Sequence, residues 1–259
     1  MNEYLEFAKD IARTAGDIML NYFCVSKKVK YKSDRTPVTI ADKKINRYLI
    51  NQVKKKYPFH SVQGEEESLD NNSNYVWVCD PIDGTSMYTR HVPVSVFSLA
   101  LVVDGEPVVG VIYDPYLDDM YTAIKGENAY LNDKIIKVND LDFGELGATV
   151  DYCMWNGAKF DTLKLIEEIR KDVKLSQVGS VAHAAMLVAR GAISASIFPG
   201  TKHGNCDIAA SKLIVEEAGG KVTDFYGNNQ RYDKDINGAI ISNGEIHDKI
   251  LKKVKTIYK

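Results

Sequence analysis

A layered α/β fold, with sheets sandwiched between helices, is what this chain of 259 residues predicts. Three observations carry that expectation. Apolar residues recur at helical spacing in the first two segments. Between Ser61 and Lys137 the period changes to that of strands, with turn signals between them. From Ala148 to the end, short strand-like runs alternate with helical ones.

The first helix runs from about Glu3 to Phe23, with Leu5, Ala8, Ala12, Ala15, Ile18 and Tyr22 on one face. A polar loop follows from Lys27 to Pro37. Thr39-Ile40-Ala41-Asp42 opens a second helix, buried through Ile45, Leu49 and Val53 and ended by Tyr57-Pro58. Tyr75-Val76-Trp77-Val78-Cys79 reads as a buried strand. Val94–Val103, Pro107–Tyr113, Met120–Ile124 and Ala129–Leu131 read as mostly antiparallel strands, with turns at Asp104-Gly105 and Asn132-Asp133. A soft boundary near Asp140–Gly147 separates an N-terminal half, residues 1–145, from a C-terminal half, residues 146–259. The two are expected to form one compact unit.

In the second half, strands are expected at Ala148–Tyr152, Val173–Gln177, Ile193–Phe198, Lys221–Asp224 and Ala239–Ser242. Helices are expected at Phe160–Arg170, Val181–Ala189 and Ile208–Ala218. Gly219-Gly220 stops the last of these, as glycine does just past a helix C-terminus. Lys249–Lys259 closes the chain as an amphipathic helix with a solvated basic face.

Charge is nearly balanced, at −2, and lysine and arginine form no stripe, which argues against a nucleic-acid partner. No apolar run approaches spanning length and the N-terminus lacks a signal-peptide pattern, so no membrane role is expected. Cys24, Cys79, Cys153 and Cys206 lack zinc-type spacing and read as reduced thiols of a cytoplasmic protein. Cys206 reads as packing rather than as a nucleophile.

The most informative stretch is Asp80-Pro81-Ile82-Asp83-Gly84-Thr85-Ser86, directly after the buried run ending at Cys79. Two carboxylates three residues apart stand where a strand ends. Pro81 stiffens the turn, Gly84 allows a sharp bend, and Thr85-Ser86 suits the start of a short helix. Carboxylates, a carbonyl between them and N–H groups beside them are the parts of a Mg²⁺ and phosphate site. Other carboxylates stand at element ends: Glu65 within Glu65-Glu66-Glu67, Asp42 at the second helix, and Asp207 before Ile208-Ala209-Ala210. Taken singly, Asp42 and Asp207 are more simply helix caps, and Glu67 is solvated. Taken together, Asp80, Asp83 and Glu65 share a small cavity as ions only if a cation offsets their repulsion. Oxygen donors without a His or Cys cluster select Mg²⁺ or Mn²⁺ over zinc. A pair of such cations suits in-line displacement at phosphorus.

Trp77-Val78-Cys79-Asp80-Pro81-Ile82-Asp83-Gly84-Thr85 resembles the signature of the inositol monophosphatase family, within the lithium-sensitive, magnesium-dependent phosphatases. Gly64-Glu65-Glu66 and Pro37-Val38-Thr39-Ile40-Ala41-Asp42 resemble its upstream motifs. Asp207-Ile208-Ala209-Ala210 followed by Glu216-Glu217-Ala218-Gly219-Gly220 resembles its C-terminal motif. Order and spacing agree over nearly the whole chain. The resemblance implies an αβαβα sandwich of the sugar-phosphatase type and a homodimer. It implies metal held by Glu65, Asp80, the Ile82 carbonyl, Asp83 and Asp207. It implies water oriented and deprotonated by Thr85 with Asp42, helped by Glu65, and phosphate held by Gly84, Thr85 and Ser86. Asp83, Gly179, Ser180 and Val181 would line the substrate pocket.

The chain also departs from the family. Phe198–Asn205 lacks the carboxylate that precedes the C-terminal aspartate in relatives, and Asn205-Cys206 replaces an aromatic there. This bears on inositol selectivity, not on phosphatase chemistry. Lys202 and His203 would instead contact an anionic group on the substrate, or belong to a solvated loop. Met87-Tyr88 stands where relatives carry an Asn-aromatic pair, and reads as a packing variation. The expected activity is Mg²⁺-dependent hydrolysis of a small polyol phosphate, inositol 1-phosphate first. Histidinol phosphate, fructose 1,6-bisphosphate and 3′-phosphoadenosine 5′-phosphate are alternatives. An inactive regulatory relative would show a lost ligand, and none is lost. A Ca²⁺ module of the EF-hand kind would need a loop of alternating oxygen ligands that this chain lacks.

Overall fold

Five layers stack in the order helix pair, sheet, helix pair, sheet, helix pair. The computed structural model describes residues 1–24, 30–31, 37–154 and 158–258. The first layer is α1 (Asn2–Phe23) with α2 (Ile40–Lys56). Between them β1 (Lys30–Tyr31) pairs antiparallel with β2 (Pro37–Val38), inside the stretch expected as a polar loop. Residues 27–29 and 32–36 of that loop lie outside the described residues.

The first sheet runs in sequence order: β3 (Ser61–Gly64), β4 (Tyr75–Asp83), β5 (Val96–Val103), β6 (Glu106–Asp114), β7 (Asp119–Ile124), β8 (Ala129–Leu131) and β9 (Lys134–Ile135). Neighbours are antiparallel except β3 and β4, which are parallel. Asp104 and Gly105 both have positive φ, as do Asn132 and Asp133, which is the backbone that tight hairpin turns require. The short α3 (Thr85–Tyr88) follows β4.

The second sheet is β10 (Thr149–Tyr152), β11 (Lys174–Ser176), β12 (Ala195–Phe198), β13 (Lys221–Thr223) and β14 (Ala239–Ser242), ordered β11-β10-β12-β14-β13. Its helices are α4 (Leu163–Ile169), α5 (Val181–Ala189), α6 (Asn205–Glu217) and α7 (His247–Ile257). α4 is shorter than the periodicity of Phe160–Arg170 predicts. The reason is local: Lys159 and Phe160 N–H groups donate to Gly200 and Pro199 carbonyls, and the Phe160 ring stacks on Phe225. α6 starts three residues earlier than expected.

Period-two alternation sorts each strand between layers. Trp77 and Cys79 face α1 and α2, while Val78 faces α5 and α6. In the second sheet Ile240 faces α4 and α7, while Ala239 and Ile241 face the middle helices. Burying each such side chain contributes about 1.5–3 kcal/mol. The middle layer is thus covered by sheet on both sides, which explains why α5 is apolar nearly all round and why α6 is buried along most of its length. Cys206 is fully buried there, its Sγ 3.8 Å from the Gln63 carbonyl oxygen, as packing requires. Tyr88 is also buried and donates to the Met19 carbonyl at 2.7 Å, joining α3 to α1.

One contact ties α2 to β3. Asn46 is fully buried, its Oδ1 accepting from Glu66 and Glu67 N–H and its Nδ2 donating to the Glu67 carbonyl. A Cβ on Gly64 would stand 2.1 Å from Asn46 Oδ1 and 2.6 Å from the Glu67 carbonyl oxygen. Gly64→Ala is therefore expected to displace the amide and lower stability by about 1–3 kcal/mol, as overpacking does. Urea denaturation of the two proteins checks this; an unchanged midpoint would rule out the close approach.

Candidate metal and phosphate site

Both aspartates of the Asp80–Asp83 segment face the middle layer, and a bulge is the reason. Strand β4 does not end at Cys79, as the sequence suggests, but runs to Asp83. Asp80 pairs with Ser98 and Asp83 with Val96, so three steps on β4 match two on β5. Residues three apart on a regular strand point to opposite faces. The extra residue corrects this, and Ile82 returns to the α1–α2 side. Pro81 is tolerated inside the strand because the bulge needs no ladder donor from it. Asp80 Oδ1 accepts from the Ile82 N–H at 2.9 Å, which fixes the turn.

Asp207 meets these two from α6. It lies within the first turn of that helix, not before it, since the helix begins at Asn205. One oxygen each from Asp80, Asp83 and Asp207 lies within 4.8 Å of the others. Asp80 and Asp83 are buried and Asp207 is half-buried. Burial, then the charges of Glu65, Asp207 and Asp83, push the Asp80 carboxyl well above the usual carboxylate range. Among the described residues, Glu65 is not part of the close trio, though its charge is felt at all three of Asp42, Asp80 and Asp83. Its position comes from β3, whose end is held by Asn46, and from its N–H, which donates to the Cys79 carbonyl.

Asp42 is both a cap and a site residue. Its Oδ2 accepts from Thr39 N–H at 2.7 Å and Thr39 Oγ1 at 2.5 Å, closing a capping box. Its Oδ1 stands 3.5 Å from Thr85 Oγ1. The Thr85 hydroxyl donates at 2.8 Å to the Ile82 carbonyl, its closer partner. Burial pushes the Asp42 carboxyl up to about 7, against the Thr39 donors and with the charges of Glu65 and Glu66.

Asp83 is held from the other half of the chain. Ser180 Oγ donates to its Oδ2 at 2.5 Å and Ala182 N–H at 2.6 Å, so the carboxylate sits at the N-terminus of α5. Burial pushes it up to about 6 while these two donors pull it down. The approach is close because two glycines meet. A Cβ on Gly84 would stand 2.9 Å from Ser180 Cβ, and one on Gly179 2.5 Å from Met87 Cε. Both have positive φ. Thus the turn at Gly84 stands against Gly179 and Ser180, and Gly179 stands against Met87 of α3. Thr85 and Ser86 N–H groups precede the first bonds of α3, which run from Met87 and Tyr88 to the Gly84 carbonyl. Ser86 Oγ accepts from Arg90 at 2.6 Å.

Lys202 is exposed, and His203, half-buried with φ +62°, donates its N–H to Asp235 at 2.9 Å. Neither joins the carboxylate trio. Sequence reasoning missed Asn46 and Ala182. Asn46 lies four residues after Asp42, on the same face of α2, which is the signal that was available.

The sequence matches the inositol monophosphatase family over residues 1–259. The chain belongs to that family. Inositol monophosphatase 2 of Solanum lycopersicum is 32% identical to it over 242 residues, covering 88% of this chain and 89% of the relative. A fructose-1,6-bisphosphatase/inositol-1-monophosphatase of Thermotoga maritima is 31% identical, covering 98% and 96%. A solved inositol monophosphatase structure from Thermotoga maritima superposes with a TM-score of 0.87 at 29% identity, covering 99% and 98%. The protein is therefore a phosphatase of the phosphoric monoester class, with an acidic trio of convergent oxygen donors in its middle layer.

The raised carboxyls have a consequence for the metal-free protein. Folding raises Asp42 to about 7 and Asp83 to about 6, above the unfolded value near 4. Stability from these groups is present at low pH and lost as pH rises through 6 to 7. Melts in a chelator are expected to rise as pH falls from about 7.5 to 5. With divalent metal present, protons and metal compete and the trend reverses. A metal-free melting temperature that falls over this window would contradict the upward shift of these two carboxyls by burial.

Proposed function

We propose that the protein is a Mg²⁺-dependent phosphomonoesterase acting on a small polyol phosphate, with inositol 1-phosphate the first substrate to test. The observation that carries this reading is the convergence of Asp80, Asp83 and Asp207 on one point between the two sheets. Their oxygen-only donor set, buried and mutually repelling, fits a hard divalent cation. Asp80, Asp83, Asp207, Glu65 and the Ile82 carbonyl are the groups to hold it, with Mn²⁺ as a substitute. When bound, the cation offsets the charge of carboxylates and phosphoryl group alike and lowers the pKa of water.

The remaining steps belong to the chain. Gly84 and Thr85 N–H groups and the Ser86 hydroxyl bind phosphate oxygens. Arg90 already donates to Ser86 Oγ, which leaves the Ser86 hydrogen for the anion. Thr85 Oγ1 sits between the Ile82 carbonyl and Asp42. Turning its hydrogen to Asp42 leaves a lone pair for a proton of the attacking water, with Glu65 assisting. Water oxygen then bonds phosphorus as the ester P–O bond breaks; the proton given up by the water passes through Thr85 to Asp42 and on to solvent, and the ester oxygen takes one from solvent, without a phosphoenzyme. Asp83, Gly179, Ser180 and Val181 would line the substrate side, and Lys202 and His203 would be the residues of the Phe198–Asn205 stretch to reach an anionic group.

A bisphosphate is the second reading. It is favoured by the missing carboxylate in Phe198–Asn205, by exposed Lys202, and by the name of the Thermotoga maritima relative. Histidinol phosphate and 3′-phosphoadenosine 5′-phosphate complete the panel. A homodimer is proposed as the assembly on family grounds.

Phosphate release from the four substrates, with and without Mg²⁺ or Mn²⁺, tests the reading. Release from inositol 1-phosphate is expected to require the ion; no release from any of them with either ion present would defeat the proposal. Mg²⁺ at a hundredfold over Kd is expected to stabilise the fold by about 2.7 kcal/mol. Thr85→Ala is expected to keep that thermal shift and lose roughly 10²–10⁴ in kcat. A variant that instead raised only KM would remove Thr85 from water activation.

A further inference from the structure

The geometry points to Asp151 as a positioning residue that sets the metal site through the Gln177–Ser180 loop. Asp151 is fully buried on β10, between β11 and β12, and no step proposed above uses it. Its Oδ1 accepts from Val178 N–H at 2.8 Å and from Ser176 Oγ at 3.4 Å. Its Oδ2 accepts from Ser196 Oγ at 3.3 Å. Ser176 and Ser196 are its register partners on the two flanking strands. A buried carboxylate is costly unless donors surround it, and here a backbone N–H and two hydroxyls do.

The strong bond is the one to Val178. It catches the chain just as it leaves β11. One residue later Gly179 turns at φ +90°, and the next residue, Ser180, caps α5 and donates to Asp83. The stretch between the two bonds has no slack. Gly179 is packed on Met87, and Gly84 stands against Ser180. Asp151 therefore holds one end of a short rigid bridge whose other end holds Asp83. Without it, Val178 and Gly179 lose their anchor, and Asp83 loses the fixed donors that orient its oxygen toward Asp80 and Asp207. This inference rests on Asp83 being a metal ligand, as proposed above.

The test compares wild type with Asp151→Ala, Asp151→Asn and Ser196→Ala. Isothermal titration calorimetry gives Mg²⁺ affinity, thermal melts give the Mg²⁺-induced shift, and kinetics give kcat and KM separately. Partners of metal ligands typically govern affinity by 10–100-fold when removed. Asp151→Ala is expected to weaken Mg²⁺ binding about tenfold, the low end, because it acts one bond further out. Asp151→Asn keeps an oxygen for Val178 N–H and is expected to stay near wild type. Ser196→Ala cuts the bond on the side away from the loop, and is expected to lower the melting temperature without changing Mg²⁺ affinity. Asp151→Ser, which leaves room for a water, serves if Asp151→Ala does not fold.

A folded Asp151→Ala or Asp151→Ser with wild-type Mg²⁺ affinity overturns the role. So does a Ser196→Ala variant that weakens Mg²⁺ as much, since that would mean general loosening of the sheet. A wild type that neither binds Mg²⁺ nor is stabilised by it overturns the metal reading itself, a different failure.

Discussion

Repulsion among buried carboxylates is the constraint around which this molecule is built. Two unit charges 4 Å apart repel by about 4 kcal/mol at an effective dielectric of 20. A folded domain is stable by only about 5–15 kcal/mol in total. Asp80, Asp83 and Asp207 are held within such distances. Everything near them either imposes that proximity or lessens its cost. The bulge in β4 turns Asp83 inward, α6 brings Asp207, and the N-terminus of α5 supplies donors to Asp83. A cluster of this kind either keeps protons on its carboxyls or suits a cation that offsets their charge.

The layers explain how so much strain is carried. Three apolar clusters flank the site: α1 and α2 on the first sheet, α5 and α6 between sheets, α4 and α7 on the second. Strands buried on both faces cannot shift register by one residue without sending a whole apolar set to the wrong layer. The positions of Asp80 and Asp83 are therefore fixed by Trp77, Val78 and Cys79, which precede them in the same strand.

Much of this is legible in the sequence, and the limits are physical. Helical spacing located α1, α2 and α5, and the paired positive-φ residues at Asp104-Gly105 and Asn132-Asp133 lay where turn chemistry predicts. Asp80, Asp83 and Asp207 were legible as candidate ligands and do converge. The bulge was not, because a proline after a buried run reads first as a strand end. The early start of α6 was hidden because Gly204, Asn205 and Asp207 are all residues that open helices, and the sequence alone does not say which of them takes the cap. Asp151 gave no signal as a functional residue, and Asn46 only the one of standing a turn after Asp42 on the same face of α2. Each acts through backbone N–H groups far along the chain, and no spacing rule reports such bonds.

The placement of α6 has a meaning for how the molecule comes apart. This helix packs on β4, β5, β6 and β7 of one sheet and on β13 and β14 of the other. Neither sheet can leave without exposing one of its apolar sides. The same helix carries Asp207, so any partial opening that separates the sheets dismantles the acidic trio at once. Global unfolding and loss of the trio should be a single event, leaving no half-folded form in which the three carboxylates still converge. Resistance to cleavage between the sheets, near residues 140–147, would then report the integrity of the trio directly, as a physical readout of cooperativity.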